Sequence, residues 1–336
     1  MPFRSPASRV VVPSSLCLLA YFAARPFQDE PVVVGAGENA YEWVKGWGGE
    51  LTDGGLGNTH GCVLVARDGR ILANTDNENA VVIFTPDGKR QASWGKDLAG
   101  GLHGMALVDE GGKQVLYLAH TGRHQVLKAT LEGEILWSVG WPQESKIYAS
   151  ENEYMPTSVA VRPDGGFYVA DGYGKSWIHK YDAERKYVRS FGGPGSEPGK
   201  LSTPHGIFLD TRGKEPVLLV ADRENGRLQS FDLDGKFLEV VATDLKRPCH
   251  IQRRGNELVV PELAGGVVLL DEHNKFIERL GENADPSRRA NNGVPREQWS
   301  DGQFLSPHCA AFGPEGEIYV LDWNASGRLS KLAPRR

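Results

Sequence analysis

Three histidines far apart in the chain carry the strongest suggestion of chemistry. His103, His205 and His308 are separated by 102 and 103 residues, a spacing that belongs to no linear metal motif. Brought together, three imidazoles leave a fourth coordination position open, the pattern of a catalytic rather than a structural zinc site. Two further residues stand at comparable places. Tyr173 follows Asp171-Gly172 and Arg223 follows Asp222, each at the start of a polar turn after an apolar run. These five positions act together only if the fold closes on itself several times.

Self-comparison supplies that fold. Repeats begin near His60, His103, Thr157, His205, Cys249 and His308, separated by 43, 54, 48, 44 and 59 residues. Each contains short alternating runs divided by Gly and Asp turns; in three copies the second run ends at Asp171, Asp222 or Asp322. Four such runs per repeat predict a four-stranded antiparallel sheet, and six repeats predict an all-β, six-bladed propeller over residues 40–336. The sixth repeat stops after its third run. The segment Tyr41–Gly48 resembles the fourth runs Gln91–Gly95 and Val188–Gly192. It is expected to complete the last blade and remove a free edge. First strands line the channel of a propeller, so the six repeat starts form a ring. His103, His205 and His308 then lie in alternate blades, about 120° apart. Tyr173 and Arg223 are expected on the same face, above them. His60 shares the ring register without fitting the three-fold set.

Net charge is −5, with no long basic run, which argues against nucleic acid and an anionic membrane surface as partners. Arg4 and Arg9 precede an apolar stretch from Val10 to Ala24. Residues 1–28 therefore read as a signal peptide or an uncleaved N-terminal anchor, with an exported protein, periplasmic or secreted, following. Cys62, Cys249 and Cys309 remain after such a segment. One bridge with a free thiol, or three buried thiols, both fit.

The segment Gly192–Leu209 resembles the signature of NHL repeats. From His103 to the C-terminus the chain is similar to the peptidyl-α-hydroxyglycine α-amidating lyases, NHL-type six-bladed propellers. The resemblance rests on Pro156–Ile178 with its Ala-Asp-Gly-Tyr, on Ser202–Leu209 with Val220–Phe231, and on Ser306–Phe312 with Gly316–Asp322. It implies that His103, His205 and His308 are zinc ligands, that Tyr173 is the catalytic tyrosine and that Arg223 is an active-site arginine. The implied reaction cleaves the N–C bond of a carbinolamide, releasing glyoxylate and an amide. The implied partner is a small molecule or a peptide C-terminus in the central channel of a monomer.

Three positions depart from that family. The arginine expected after the second strand of blade 1 is replaced by Asn74-Thr75-Asp76-Asn77. The aspartate that binds calcium after the last zinc histidine is Cys309, and a methionine two residues before that histidine is Ser306. Arg288, Arg289 and Arg296, in the connection Glu282–Phe304, are candidates to replace the missing arginine. The alternative reading is a non-catalytic propeller that binds a protein or peptide and keeps a structural metal. A calcium-dependent lactonase ranks last, because the ring is rich in histidine rather than oxygen ligands.

Overall fold

Short alternating runs bounded by tight turns cannot bury both faces of one small sheet, and here they stack radially. The computed structural model describes residues 1–3, 30–48 and 55–335. Two units divide at residue 31, Met1–Pro31 and Val32–Arg336. Nearly all of the expected signal segment lies outside the described residues. No helix among the described residues is long and apolar enough to cross a membrane.

The larger unit is a six-bladed β-propeller. Blade 1 runs through Val63–Val65, Ile71–Asn74, Val81–Phe84 and Arg90–Trp94. Blade 2 follows with Leu102–Glu110, Lys113–His120, Gln125–Thr130 and Ile135–Val139. Blade 3 comprises Ser158–Val161, Phe167–Asp171, Trp177–Tyr181 and Tyr187–Gly192. Blade 4 comprises Pro204–Asp210, Val217–Asp222, Arg227–Phe231 and Phe237–Ala242. Blade 5 is Gln252–Arg254, Glu257–Glu262, Gly266–Leu270 and Phe276–Leu280. Blade 6 takes Pro307–Phe312, Ile318–Asp322 and Arg328–Pro334 from the C-terminus. Tyr41–Trp43 and then Val33–Val34 complete it, so the ring takes in residues ahead of position 40. Tyr41 pairs with Pro334 and Trp43 with Leu332, and beyond Trp43 the chain turns away.

Burial falls from the axis outward. Second strands such as Phe167–Asp171 are wholly buried, whereas the outer strand Arg90–Trp94 is half-buried to exposed. In the core shared by blades 6, 1 and 2, Ile71, Leu72, Leu116 and Leu118 are fully enclosed. Each such side chain contributes about 1.5–3 kcal/mol of transfer free energy. An acid at the end of the second strand fastens the chain entering its own blade. Asp171 accepts from the Met155 N–H (2.7 Å), Asp222 from Ser202 (2.7 Å), Glu262 from Lys246 (2.7 Å) and Asp322 from Ser306 (2.7 Å). Buried carboxylates with several N–H donors are held where they stand, and at Asp322 both donors meet Oδ1 while Oδ2 is buried without a hydrogen bond. They fix the height at which each first strand starts, and so the level of the ring.

Candidate metal centre and active site

The histidines owe their aim to a local irregularity. In blade 2 the register of first against second strand slips between Leu102 and Gly104, in blade 4 between Pro204 and Gly206, and in blade 6 between Pro307 and Cys309. The extra residue is His103, His205 or His308. A bulge re-aims the side chain of its extra residue, and here it turns each imidazole toward the axis. Blades 1, 3 and 5 pair their first two strands without a slip.

Odd blades supply the other half of the arrangement. His103 Nδ1 lies 2.7 Å from the Thr157 carbonyl, His205 Nδ1 2.8 Å from that of Cys249, and His308 Nδ1 2.8 Å from that of Gly61. Each acceptor belongs to the next blade round the ring. A carbonyl accepts only from N–H, so every Nδ1 is protonated and every Nε2 presents a lone pair. Glycine makes the approach possible: a Cβ on Gly104 would meet the Thr157 oxygen at 2.3 Å, and one on Gly206 the Cys249 oxygen at 2.6 Å.

The three rings form a nearly equilateral triangle, with centroids 4.7, 4.8 and 4.6 Å apart. The Tyr173 hydroxyl stands between two of them, 2.9 Å from His205 Nε2 and 3.3 Å from His103 Nε2. His60 Nε2 is 3.2 Å from the same oxygen, and Arg223 Nη1 donates to it at 3.1 Å. His308 Nε2 is buried without a partner. Ligand atoms of His60, His103 and His308 lie within 4.8 Å of one another, as do those of His205, Cys249 and His308. His308 joins both sets, with the tyrosine hydroxyl standing between His103 and His205. His60 lacks the carbonyl anchor of the other three and packs between Tyr173 and Trp323, at 5.8 and 5.4 Å.

Burial holds all four imidazoles neutral. It drives His103, His205 and His308 well below the usual histidine range, with neighbouring imidazoles and Arg223 adding to the effect. His60 falls to about 4, through burial and then Arg223. Neutral imidazoles anchored at Nδ1 and one orphaned Nε2 fit a bound transition metal. Burial raises the Tyr173 phenol to about 12, against the pull of Arg223. The arginine alone therefore leaves the hydroxyl protonated near neutral pH.

Arg223 holds two contacts, its Nε pairing with Glu224 at 2.9 Å and its Nη1 meeting Tyr173. Glu224 also receives Arg247 at 2.8 Å. Arg247 stands immediately before Pro248 with φ +63°, and its Nε is buried without a partner. It is the second arginine of the site. Sequence reasoning passed over it because it lies outside any strand, and its one signal is its place two residues before ring position Cys249. Blade 1 has no arginine in the turn after its second strand, which reads Thr75-Asp76-Asn77. Asn74 is buried there, its side-chain oxygen accepting from the Cys62 N–H and its amide donating to the Leu102 and His103 carbonyls at 2.5 and 3.1 Å. The loop arginines are committed elsewhere: Arg288 pairs with Asp285, Arg289 with Glu282, and Arg296 lies over Trp299.

No family model matches the sequence. Peptidyl-glycine alpha-amidating monooxygenase B of Xenopus laevis is 28% identical over 278 residues, covering 77% of this chain and 29% of its own length. Peptidyl-alpha-hydroxyglycine alpha-amidating lyase 1 of Drosophila melanogaster is 27% identical over 280 residues, 77% of this chain and 49% of its own. Lyase 2 of the same organism is 30% identical over 269 residues, 76% and 60%. The chain thus spans less than two thirds of each of these relatives. Among solved structures, a gluconolactonase of Xanthomonas campestris superposes with a TM-score of 0.61 at 12% identity, over 92% of this chain and 96% of its own. A streptogramin B lyase gives 0.58 at 14%, over 85% and 96%. These likenesses show the propeller fold.

Proposed function

We propose that this protein is a zinc-dependent carbon–nitrogen lyase that cleaves an α-hydroxyglycine-type carbinolamide to an amide and glyoxylate. One observation carries the reading: a tyrosine hydroxyl within 3.3 Å of three imidazole Nε2 atoms and 3.1 Å from an arginine. Lyase-type function is also what the names of the similar proteins support.

His103, His205 and His308 would hold the metal, which when bound supplies a Lewis acid for the substrate hydroxyl and positive charge beside the phenol. Tyr173, held as phenolate by that charge and by Arg223, takes the hydroxyl proton. The C–N bond breaks as the C=O bond of glyoxylate forms, and its electron pair goes to the amide nitrogen. Tyr173 returns the proton to that nitrogen, so the products balance without water. Arg223 and Arg247, bridged by Glu224, leave a net positive charge for the substrate carboxylate. Burial holds these histidine pKa values far below neutrality and keeps the ligands unprotonated, so the site does not need alkaline pH to take a metal.

The same reading extends to a monomer, exported through its N-terminal segment, acting on a small molecule or a peptide C-terminus in the channel. Asn74 is the observation that favours the non-catalytic alternative, because it is wholly engaged in joining blades 1 and 2. Zinc-loaded protein incubated with an N-acyl-α-hydroxyglycine separates the two. Glyoxylate release abolished by Tyr173→Phe is expected; the absence of release from metal-loaded wild type leaves a binding propeller.

A further inference from the structure

A second tier of ligand-type side chains lies just below the histidine ring. Cys309 follows His308, His250 follows Cys249, and Cys62 stands two residues beyond His60. Their sulfur and nitrogen atoms lie within 4.8 Å of one another. Both cysteines are buried, and neither is in a disulfide. His250 provides an independent sign, because its Nδ1 is buried with no hydrogen-bond partner. Such an orphan costs about 1–3 kcal/mol unless something meets it. The repeat pattern also breaks here: the residue after the ring histidine is Gly104 in blade 2 and Gly206 in blade 4, but a thiol in blade 6.

We propose that Cys62, Cys309 and His250 form a second metal site, taking a thiophilic d10 cation, Zn2+ or Cu+. Two thiolates and an imidazole are the soft donor set that selects these ions over Ca2+ or Mg2+. Two thiolates neutralise a divalent charge, so burial of the ion costs little, and two thiol protons leave to solvent on binding. Ligands on a tetrahedral zinc stand about 3.5–4 Å apart; the cluster closes by about 1 Å through side-chain rotation. A cavity of about 240 Å3, lined by His250, Met105, Val159 and Ile207, borders the His250 ligand. The three ligands come from blades 1, 5 and 6. The ion therefore clamps the seam where the ring closes and braces His308 from the next residue.

The test separates this site from the histidine ring, on which the proposal does not rest. Reduced, metal-free protein is titrated with Co2+ alone. A thiolate-to-cobalt charge-transfer absorption is expected in wild type and retained in a His205→Ala, Cys249→Ser double variant, which removes the nitrogen and the one sulfur that the ring level offers. It is expected to vanish in Cys62→Ser and Cys309→Ser. His250→Gln, on the cavity wall with both thiols intact, is expected to bind at least tenfold more weakly; it serves if the serine variants misfold by circular dichroism. Native mass spectrometry of the same ring-disrupted double variant after separate exposure to Zn2+ and Cu+ identifies the ion, and retention of either there supports the site. Lack of the charge-transfer band in wild type, retention of neither ion, or a Cys62–Cys309 disulfide in protein purified without reductant would overturn it.

Discussion

Even and odd blades share one repeat and do opposite things at the axis. Blades 2, 4 and 6 spend a bulge on aiming an imidazole inward. Blades 1 and 3, and blade 5 likewise, keep regular register and present a backbone carbonyl to the preceding imidazole. Six-fold repetition thus becomes a three-fold site with no change of fold. The device is a one-residue slip in alternate copies, and its cost is borne by tight glycines rather than by the core. Thr157 shows the odd-blade solution most plainly: its hydroxyl donates to the Pro204 carbonyl at 2.9 Å and ties blade 3 to blade 4.

Substitutions can break this comparison, and the largest effect belongs to the even blades. His205→Ala is expected to remove the ring metal, with glyoxylate release falling at least 10³-fold, whereas Thr157→Ser keeps its hydroxyl and changes the rate less than threefold; elemental analysis and initial rates check both. Gly206→Ala places a Cβ against the Cys249 carbonyl. It should cost about 1–3 kcal/mol in denaturant unfolding and weaken metal binding in parallel. Arg247→Ala sharpens the substrate side, with KM rising about tenfold and metal content unchanged, as expected for a partly exposed carboxylate contact. The smallest effect concerns His60, the odd-blade imidazole. Its pKa is about 4 when folded against 6.5 when unfolded. The unfolded chain therefore binds the extra proton first, and the stabilisation present above pH 6.5 is lost as pH falls toward 4. In metal-free protein His60→Gln should reduce that dependence by up to about 1.4 kcal/mol per pH unit, measured by urea unfolding across the range.

Much of this was legible once the copies were aligned. Alternation and turn residues specify strands, the period specifies blades, and register brings positions 103, 205 and 308 to one level. Tyr173 and Arg223 were legible because they follow repeat-ending aspartates. What sequence could not disclose is carried by backbone. The bulges leave no mark in residue type beyond a histidine where others occur, and the Nδ1 acceptors are carbonyls, which every residue has. Arg247 was hidden in a connection, where its backbone takes a positive φ and its side chain meets Glu224. The loop arginines drew attention by their type, yet their charges are used within their own loop.

The closing strand has a mechanical consequence. Val33 pairs with Glu42 and Tyr41 with Pro334, so the N-terminal end of Val33–Val34 and the C-terminal end of Arg328–Pro334 lie at opposite ends of the closing strands. A force applied to them loads the rungs of hydrogen bonds together, in shear, instead of one at a time. The propeller should therefore resist being pulled open at blade 6, and the same three-rung seam, buried at Tyr41, Trp43 and Leu332, resists heat.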